Sequence, residues 1–338
     1  MHNHDKPPLL SVLLPVRNAE PTLGEAIASV LNQTWSHFEL VVINDSSTDG
    51  SDRVARAWQQ RDSRVNVVEN KGQGIIEALQ TGLSVARGDF IARMDADDRA
   101  LPQRFAKQME LIERDPRCSV CATHVSDIGD VGQGRQRYTQ WLNSVRTHDD
   151  VVRNLFIECP VAHPTLIIRR RALEHVGGYR DVPWPEDYDL ILRLWLAGAR
   201  FAVVAEPLVE WGDSPSRLSR TDPRYSPEAF RQCKLHYLPL APYFRPGREL
   251  IQWGAGKEGK WWLKHLPPPM RPTVVVDIDP RKVGQRIHGT PVIAPESLGS
   301  PRSRFLLIAV GVHGAREEIR PFLSLRGWRE LDDYLFLC

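Results

Sequence analysis

The sequence predicts an α/β protein: a mainly parallel sheet between helices, followed by a second, smaller α/β unit. Three observations carry this. From Leu10 to Met94, short β-branched runs alternate with segments of helical apolar spacing, as repeated βαβ units do. Two of the strands end in acidic loops, around Asp45 and at Asp95-Ala-Asp-Asp98. Further on, Leu250 to Trp253 runs into the glycine turn Gly254-Ala-Gly256-Lys-Glu-Gly259 and the pattern restarts. A chain of 338 residues holds about two domains of the usual size.

In chain order, Leu10 to Pro15 is a strand ending in proline. Thr22 to Gln33 places Leu23, Ile27, Val30 and Leu31 on one helical face, with Thr22 as its cap. Glu39 to Ile43 is the second strand, ending at Asn44-Asp45-Ser46-Ser47-Thr48-Asp49-Gly50. Ser51 to Gln60 is a helix, Val65 to Glu69 a third strand, Gly74 to Ala86 a helix, and Phe90 to Met94 a fourth strand. Ligands bind outside the carboxyl ends of strands in open α/β sheets, so Asp45 and the Asp95 to Asp98 cluster should face one crevice.

Arg104 to Arg114 then reads as a helix, Cys118 to Ser126 as a strand, and the segment to about Asp150 as a polar excursion. Val161 to Arg169 is extended, Pro185 opens a helix to about Ala197, and a strand lies near Ala202 to Ala205. Between about Asp213 and Arg248 prolines are dense, with a short helix at Glu228 to His236. Beyond it come the strand Leu250 to Trp253, the helix Lys260 to His265, the strand Thr273 to Ile278, and Arg304 to Val310 as a further strand.

Composition excludes several classes. With 44 basic and 42 acidic side chains and a net charge of +2, nothing pulls the chain toward nucleic acid. Hydrophobic residues at 42% exclude disorder over most of the length. Met1 to Pro8 lacks the apolar core of a secretory signal, and apolar runs such as Phe305 to Val312 fall far short of the roughly 18 residues of a spanning helix. Five scattered cysteines fit reduced thiols, so the expected location is the cytoplasm, a peripheral position at the inner face of the membrane being compatible with it. Cys118 and Cys121 form a CxxC, but no second pair follows at zinc spacing, and a core strand is the expected role.

Asp95 and Asp97 form a D-x-D pair at a strand end, with Asp98 adjacent. Carboxylates converging on a loop repel one another unless a hard divalent cation sits among them, and Mg²⁺ or Mn²⁺ is the natural partner. Such an ion bridges the phosphates of a nucleotide diphosphate and neutralises charge on a leaving group. Aspartates at turns are also common caps, so the pair alone decides little.

Context comes from order. Ser11-Val-Leu-Leu-Pro-Val-Arg-Asn18, Ser29-Val-Leu-Asn-Gln-Thr34, Glu39-Leu-Val-Val-Ile-Asn-Asp-Ser-Ser-Thr-Asp-Gly-Ser51 and Ala86-Arg-Gly-Asp-Phe-Ile-Ala-Arg-Met-Asp-Ala-Asp-Asp98 resemble glycosyltransferase family 2. So do His163-Pro-Thr-Leu-Ile-Ile-Arg-Arg170, Gly177-Gly-Tyr179 and Glu186-Asp187. The match covers residues 9 to 220, and agreement of so many segments in order is more specific than any one of them.

The resemblance implies a GT-A type nucleotide-diphospho-sugar transferase domain and a hexosyltransferase-type enzyme. It implies inverting transfer of a sugar from a nucleotide-sugar, a UDP-sugar, to a hydroxyl of a glycan, a lipid-linked precursor or a cell-surface polysaccharide precursor. By matching position, Pro15, Arg17, Asn18, Asp45, Asp95 and Ala96 would line the donor, and Asp97 with Asp95 would hold Mn²⁺ or Mg²⁺. Asp45 would accept from a base N–H, unless it only caps the Ser46 to Asp49 turn. Lys71 and Arg93 are further phosphate or sugar candidates, although exposed basic side chains are usually just solvated. Asp187 stands where the family keeps its base, and the same acids would also complement a helix N-terminus. Glu186 and His163 are acceptor candidates, His163 being equally a satisfied, partly buried histidine.

Two departures are visible. The family's Tyr-Arg-x-His segment, whose histidine can complete the metal shell, is replaced by Glu210-Trp-Gly-Asp-Ser-Pro-Ser-Arg-Leu-Ser219, leaving Asp213 as a substitute ligand. The Gln-x-x-Arg-Trp pattern of processive synthases is missing, so one sugar per encounter is expected.

The expected domains are 9 to 220 for catalysis, 221 to 247 as a connection, and 248 to 338 as a small Rossmann-like accessory domain. In the last, Gly254, Gly256 and Gly259 follow a strand and open a helix, with Asp277 at the next strand end, the setting of a dinucleotide fingerprint. The rival functions are therefore an NAD-linked or nucleotide-sensing protein acting through that domain, and a noncatalytic carbohydrate-binding scaffold.

Overall fold

The computed structural model describes residues 10–214, 217–244 and 247–338. The reading of Met1 to Pro8, the first residue of the expected catalytic domain, Pro215 and Pro246 lie outside the described residues. The chain divides into two compact units: the residues up to Val151 with Pro160–Ala229, and Val152–Cys159 with Phe230–Cys338.

The first unit opens with β1 (Leu10–Val16), α1 (Glu20–Leu31), β2 (Phe38–Asn44), α2 (Ser51–Arg61), β3 (Val65–Glu69), α3 (Ile75–Val85) and β4 (Phe90–Arg93). β1 and β2 are buried along their whole length, as strands covered on both faces must be. The strand β5 (Arg99–Ala100), α4 (Arg104–Arg114), β6 (Cys118–Asp127), α5 (Gln133–Leu142), α6 (His148–Asn154), β7 (Ile167–Arg169), α7 (Arg170–His175), α8 (Glu186–Leu196), β8 (Arg200–Trp211) and α9 (Leu218–Thr221) follow. The sheet order is β3-β2-β1-β4-β7-β6-β8-β5. Its β1–β2, β1–β4, β2–β3 and β6–β8 pairs are parallel, and β4–β7, β6–β7 and β5–β8 are antiparallel.

Three expectations are corrected here. Thr22 does not cap α1: the helix starts two residues earlier, its N-cap is Ala19, and the Thr22 hydroxyl points back to the Ala19 carbonyl. The polar excursion before Asp150 contains α5 and the start of α6, with Thr139 and Leu142 of α5 turned inward. The last strand of the unit extends from Arg200 to Trp211, because register shifts opposite Thr123 to Val125 let it pass Pro207 without breaking. Cys118 and Cys121 are buried in β6.

The second unit holds most of α10 (Pro227–Tyr237), then β9 (Glu249–Trp253), α11 (Lys257–His265), β10 (Val274–Val276), β11 (Arg286–Ile287), β12 (Thr290–Ile293), β13 (Arg304–Ile308), α12 (Ala315–Ser324) and β14 (Tyr334–Phe336). Its sheet runs β11-β12-β10-β9-β13-β14, parallel but for the β11–β12 pair. The core gathers Trp253, Val276, Leu306, Leu323, Trp328 and Phe336. Residues 152–159 join this unit for a definable reason. The buried Lys234 ammonium of α10 donates to the carbonyls of Ile157, at 2.7 Å, and Leu337, at 2.9 Å, and Ile157 packs on the core. Arg231 of the same helix pairs with Glu258 of α11, so this part of the expected connection is part of the second unit. Among the described residues, no helix is long and apolar enough to cross a membrane.

Candidate active site

The carboxyl ends of β1, β2 and β4 carry the expected donor residues. Pro15 and Val16 end β1 beside Ile43 and Asn44, and Arg17 and Asn18 follow, exposed. Asn18, with φ of +52°, accepts from the Thr48 amide at 2.8 Å, and Asn44 accepts from the Ser47 amide at 3.2 Å. The turn after β2 is thus capped by Asn18 and Asn44, and Asp45 is released from that role. Asp45 is buried, and its carboxylate receives Asn70 Nδ2 at 2.6 Å and the Gly74 amide at 3.0 Å, with Arg17 3.7 Å away. It therefore ties the loop after β3 to the end of β2. Lys71 lies on that loop with its side chain exposed and its amide on the Thr81 hydroxyl.

The acidic loop after β4 is held from beneath. Buried Arg104 donates to the Arg93 carbonyl at 2.9 Å and to Gln108 at 3.1 Å, and Gln108 in turn donates to the carbonyls of Cys121 and Thr165, both at 2.8 Å. Burial pulls the Arg104 guanidinium down to about 9. Arg93 is buried, not solvated, and pairs with Asp95. Ala96 is buried in the turn, and Asp98 accepts from the Gly212 amide at 2.8 Å while its other oxygen has no partner among the described residues.

Charge explains the titration of this loop. Burial raises Asp95, but the cations Arg93 and Arg217 outweigh it and leave the carboxyl below its ordinary value. Asp97 is raised by burial and by Asp95, and Asp98 is raised well above the carboxylate range by burial and by both neighbours. Two carboxyls resisting ionisation beside a third are what a divalent cation relieves. Among the described residues, no group of three or more His, Cys, Asp or Glu is arranged to hold a metal. Asp95 and Asp97 would suit an ion of the Mg²⁺ type, which takes one or two carboxylates and completes its shell with phosphates and water. Asp213 is not available in this arrangement: both its oxygens accept from Arg220, at 2.7 Å.

Within the electrostatic reach of Asp95, α8 begins at Glu186 after Pro185. Its acids divide their work. Asp189 is buried and pairs with Arg193 at 2.7 Å, while Glu186, also buried, accepts from the Tyr225 hydroxyl at 2.7 Å. Asp187 is partly buried, accepts from the Tyr188 amide at 2.7 Å, and is pushed up to about 7 by burial and by the charge of Glu186, with Asp95 contributing. His163 sits in a short 3₁₀ turn, His163–Thr165, and its Nε2 is 2.8 Å from the Tyr179 hydroxyl. Gly177 and Gly178, at φ of +78° and +65°, turn the chain out of α7 immediately before Tyr179, a conformation that suits residues without a Cβ. Burial and Arg93 drive His163 down to about 3, so its imidazole is neutral.

The first unit thus brings Arg93, Asp95, Asp97, Asp98, His163, Glu186 and Asp187 into one electrostatic neighbourhood, joined by Tyr179, Tyr225 and Arg217. The last two were not singled out from the sequence. Tyr225 lies in a proline-rich stretch that offers no periodicity, and Arg217 carries no motif.

The glycine turn of the second unit is a separate feature. Gly254 has φ of +112°, and a Cβ there would meet the Ala309 carbonyl at 2.4 Å. A Cβ on Gly259 would meet the Gly254 carbonyl at 1.9 Å, whereas one on Gly256 would meet nothing within 4 Å among the described residues. Asp277 accepts from the Ala255 amide at 2.7 Å and lies within 3.3 Å of Lys282.

Comparison with known proteins shows what the chain is similar to. The Glycosyl transferase family 2 model matches residues 11–177. EpsE of Bacillus subtilis (strain 168), a protein named as a glycosyltransferase, is 31% identical over 254 residues, covering 72% of this chain and 89% of that protein. The amylovoran biosynthesis glycosyltransferase AmsE of Erwinia amylovora is 28% identical over 205 residues, 60% of this chain and 75% of that protein. Among solved structures, residues 1–349 of S. aureus TarS in complex with UDP-GlcNAc align with a TM-score of 0.53 at 17% identity, over 68% of this chain and 66% of that one. At that identity the likeness shows the fold, the GT-A type that the sequence resemblance implied.

Proposed function

The chain belongs to glycosyltransferase family 2, and from that premise we propose that it transfers a single sugar from a UDP-sugar, with inversion, to a hydroxyl of a polysaccharide precursor. The precursor is a glycan, lipid-linked or cell-surface chain. The polysaccharide assignment is supported by the name of AmsE, and the uracil assignment by Asp45, a buried carboxylate whose geometry suits an N–H donor. The single observation that carries the reading is the field shared by the Asp95 to Asp98 loop and Asp187, a carboxyl held near 7 that feels the charge of Asp95.

The reaction follows from these groups. Arg17 and Asn18 line the nucleotide beside Asp45, and Arg93 fixes Asp95 at the phosphates. Asp95 and Asp97 would hold Mn²⁺ or Mg²⁺, which when bound would neutralise charge on the diphosphate. Asp187 takes the proton of the acceptor hydroxyl as its oxygen bonds to the anomeric carbon. The bond from that carbon to the β-phosphate oxygen breaks on the opposite face, and its electron pair leaves with the diphosphate. A base titrating near 7 is matched to this task at neutral pH. Glu186 and neutral His163 stand on the acceptor side.

One specific observation keeps a second ligand in view. Around the turn of the second unit, Gly254 and Gly259 are needed for packing while Gly256 leaves open space, the division of roles found in dinucleotide-binding turns. Donor hydrolysis measured with and without Mn²⁺, beside NADH fluorescence titration, separates the readings. Mn²⁺-dependent release of UDP supports the transferase site, whereas NADH binding without any donor turnover would move the function to the second unit, and neither activity would favour a noncatalytic scaffold.

A further inference from the structure

Arg217 stands apart from the other arginines near the acidic loop. Arg93 pairs with Asp95, Arg135 with Asp127, Arg220 with Asp213 and Arg224 with Asp222. Among the described residues Arg217 makes no ion pair, although Asp95, Asp97 and Asp98 all feel its charge. It is nevertheless fixed. One guanidinium nitrogen donates to the Gly212 carbonyl at 2.6 Å, and the group lies over the Trp211 ring at 4.9 Å, with Arg135 over the same indole at 3.6 Å. Gly212 itself abuts the loop: its amide donates to Asp98, and a Cβ there would come within 2.5 Å of the Asp97 carbonyl and 3.3 Å of the Asp97 carboxyl carbon.

A guanidinium has five donors, and among the described residues one is taken, by the Gly212 carbonyl, while the group rests over the Trp211 indole. The remaining donors are available to an anion beside the cation-seeking carboxylates. Resting on the transferase reading above, we propose that Arg217 binds the diphosphate of the nucleotide-sugar donor and receives the charge that grows on the departing phosphate oxygen. The fork of an arginine matches paired phosphate oxygens, and a cation fixed by a carbonyl and an indole does not have to surrender a carboxylate to engage them. The electron pair of the breaking bond goes to the diphosphate, and Arg217 stabilises it without exchanging a proton.

The test measures affinity for UDP and for UMP in Mn²⁺ with wild type, Arg217→Gln and Arg217→Lys, together with kcat for transfer. A charge-assisted contact to the distal phosphate is worth about a tenfold to hundredfold change in affinity. Arg217→Gln should lose that factor for UDP, lose less than about threefold for UMP, and lower kcat, while Arg217→Lys recovers part of each. Equal loss for UDP and UMP would assign Arg217 to holding the loop in shape and overturn the proposal, as would unchanged UDP affinity. Wild type that binds neither nucleotide would sink the donor reading itself, and this proposal with it. That result is distinguishable because it appears before any substitution is made.

Discussion

The pH dependence of transfer tests Asp187 most sharply. Its carboxyl is raised from 3.8 to about 7, first by burial and then by Glu186. At pH 6 a group titrating near 7 is about one-eleventh ionised and at pH 8 about ten-elevenths, so kcat/KM should rise about tenfold between them, with its midpoint near 7. A carboxyl left at the ordinary value would be ionised throughout, and the profile would be flat. Glu186→Gln removes the neighbouring charge but keeps an acceptor for the Tyr225 hydroxyl, so the acidic limb should move to lower pH. The assay is the initial rate of nucleotide release in the presence of acceptor, at constant ionic strength and normalised to each variant's plateau. A wild-type rate independent of pH from 6 to 8, or a Glu186→Gln profile that coincides with wild type, would refute the assignment. Stability gives an independent check of sign. A raised carboxyl means the fold penalises the ionised form; the penalty is absent below about 3.8, grows up to about 7 and is constant above it. Asp187→Asn should therefore melt higher than wild type at pH 8 and equally at pH 3.5 if the fold survives there, while losing transfer.

Other consequences follow from the same geometry. Asp187→Asn should retain donor affinity within about twofold by titration calorimetry, since the substitution removes a base and not a donor contact. Asp97→Asn should abolish the Mn²⁺ dependence of UDP binding without lowering the melting temperature, because Asp97 is raised by burial and by Asp95 and gains from losing its charge. Asp45→Ala should lower both UDP affinity and thermal stability by about 1–3 kcal/mol, because Asn70 and the Gly74 amide lose their shared acceptor. In the second unit Gly259→Ala should destabilise by about 1–3 kcal/mol in denaturant unfolding, since its Cβ would meet the Gly254 carbonyl at 1.9 Å, while Gly256→Ala should be neutral.

The legible part of this fold is the part where burial is two-sided. β1, β2 and β4 are mostly apolar and buried along their whole length, and the bounds of β3 and α4 are those expected from the sequence. Helix α5 was hidden because Gln133 to Leu142 is mostly polar and turns only Thr139 and Leu142 fully inward, so tertiary packing and not periodicity makes it a helix. β8 was read short because Glu206 and Pro207 interrupt its apolar run, an interruption that the irregular register with β6 absorbs. At the site, the acidic loop and the Glu186-Asp187 pair stand out as side chains grouped in sequence. Arg93 is legible only as a phosphate or sugar candidate, because an arginine in a strand reads as exposed until Asp95 is seen to pair with it. Arg217 was invisible for a related reason: its position depends on Trp211 and Gly212 folding back against Asp97.

The central claim is a metal-assisted nucleotide-sugar site in the first unit, and thermal stability in a panel of nucleotide sugars tests it directly. A ligand at a hundredfold excess over its dissociation constant adds about 2.7 kcal/mol, a rise of about 5–10 °C for a unit of this size. A UDP-sugar should give such a rise with Mn²⁺ and much less without it, and GDP- and CDP-sugars should give none. A melting temperature unmoved by every nucleotide sugar, with metal present, would contradict the account.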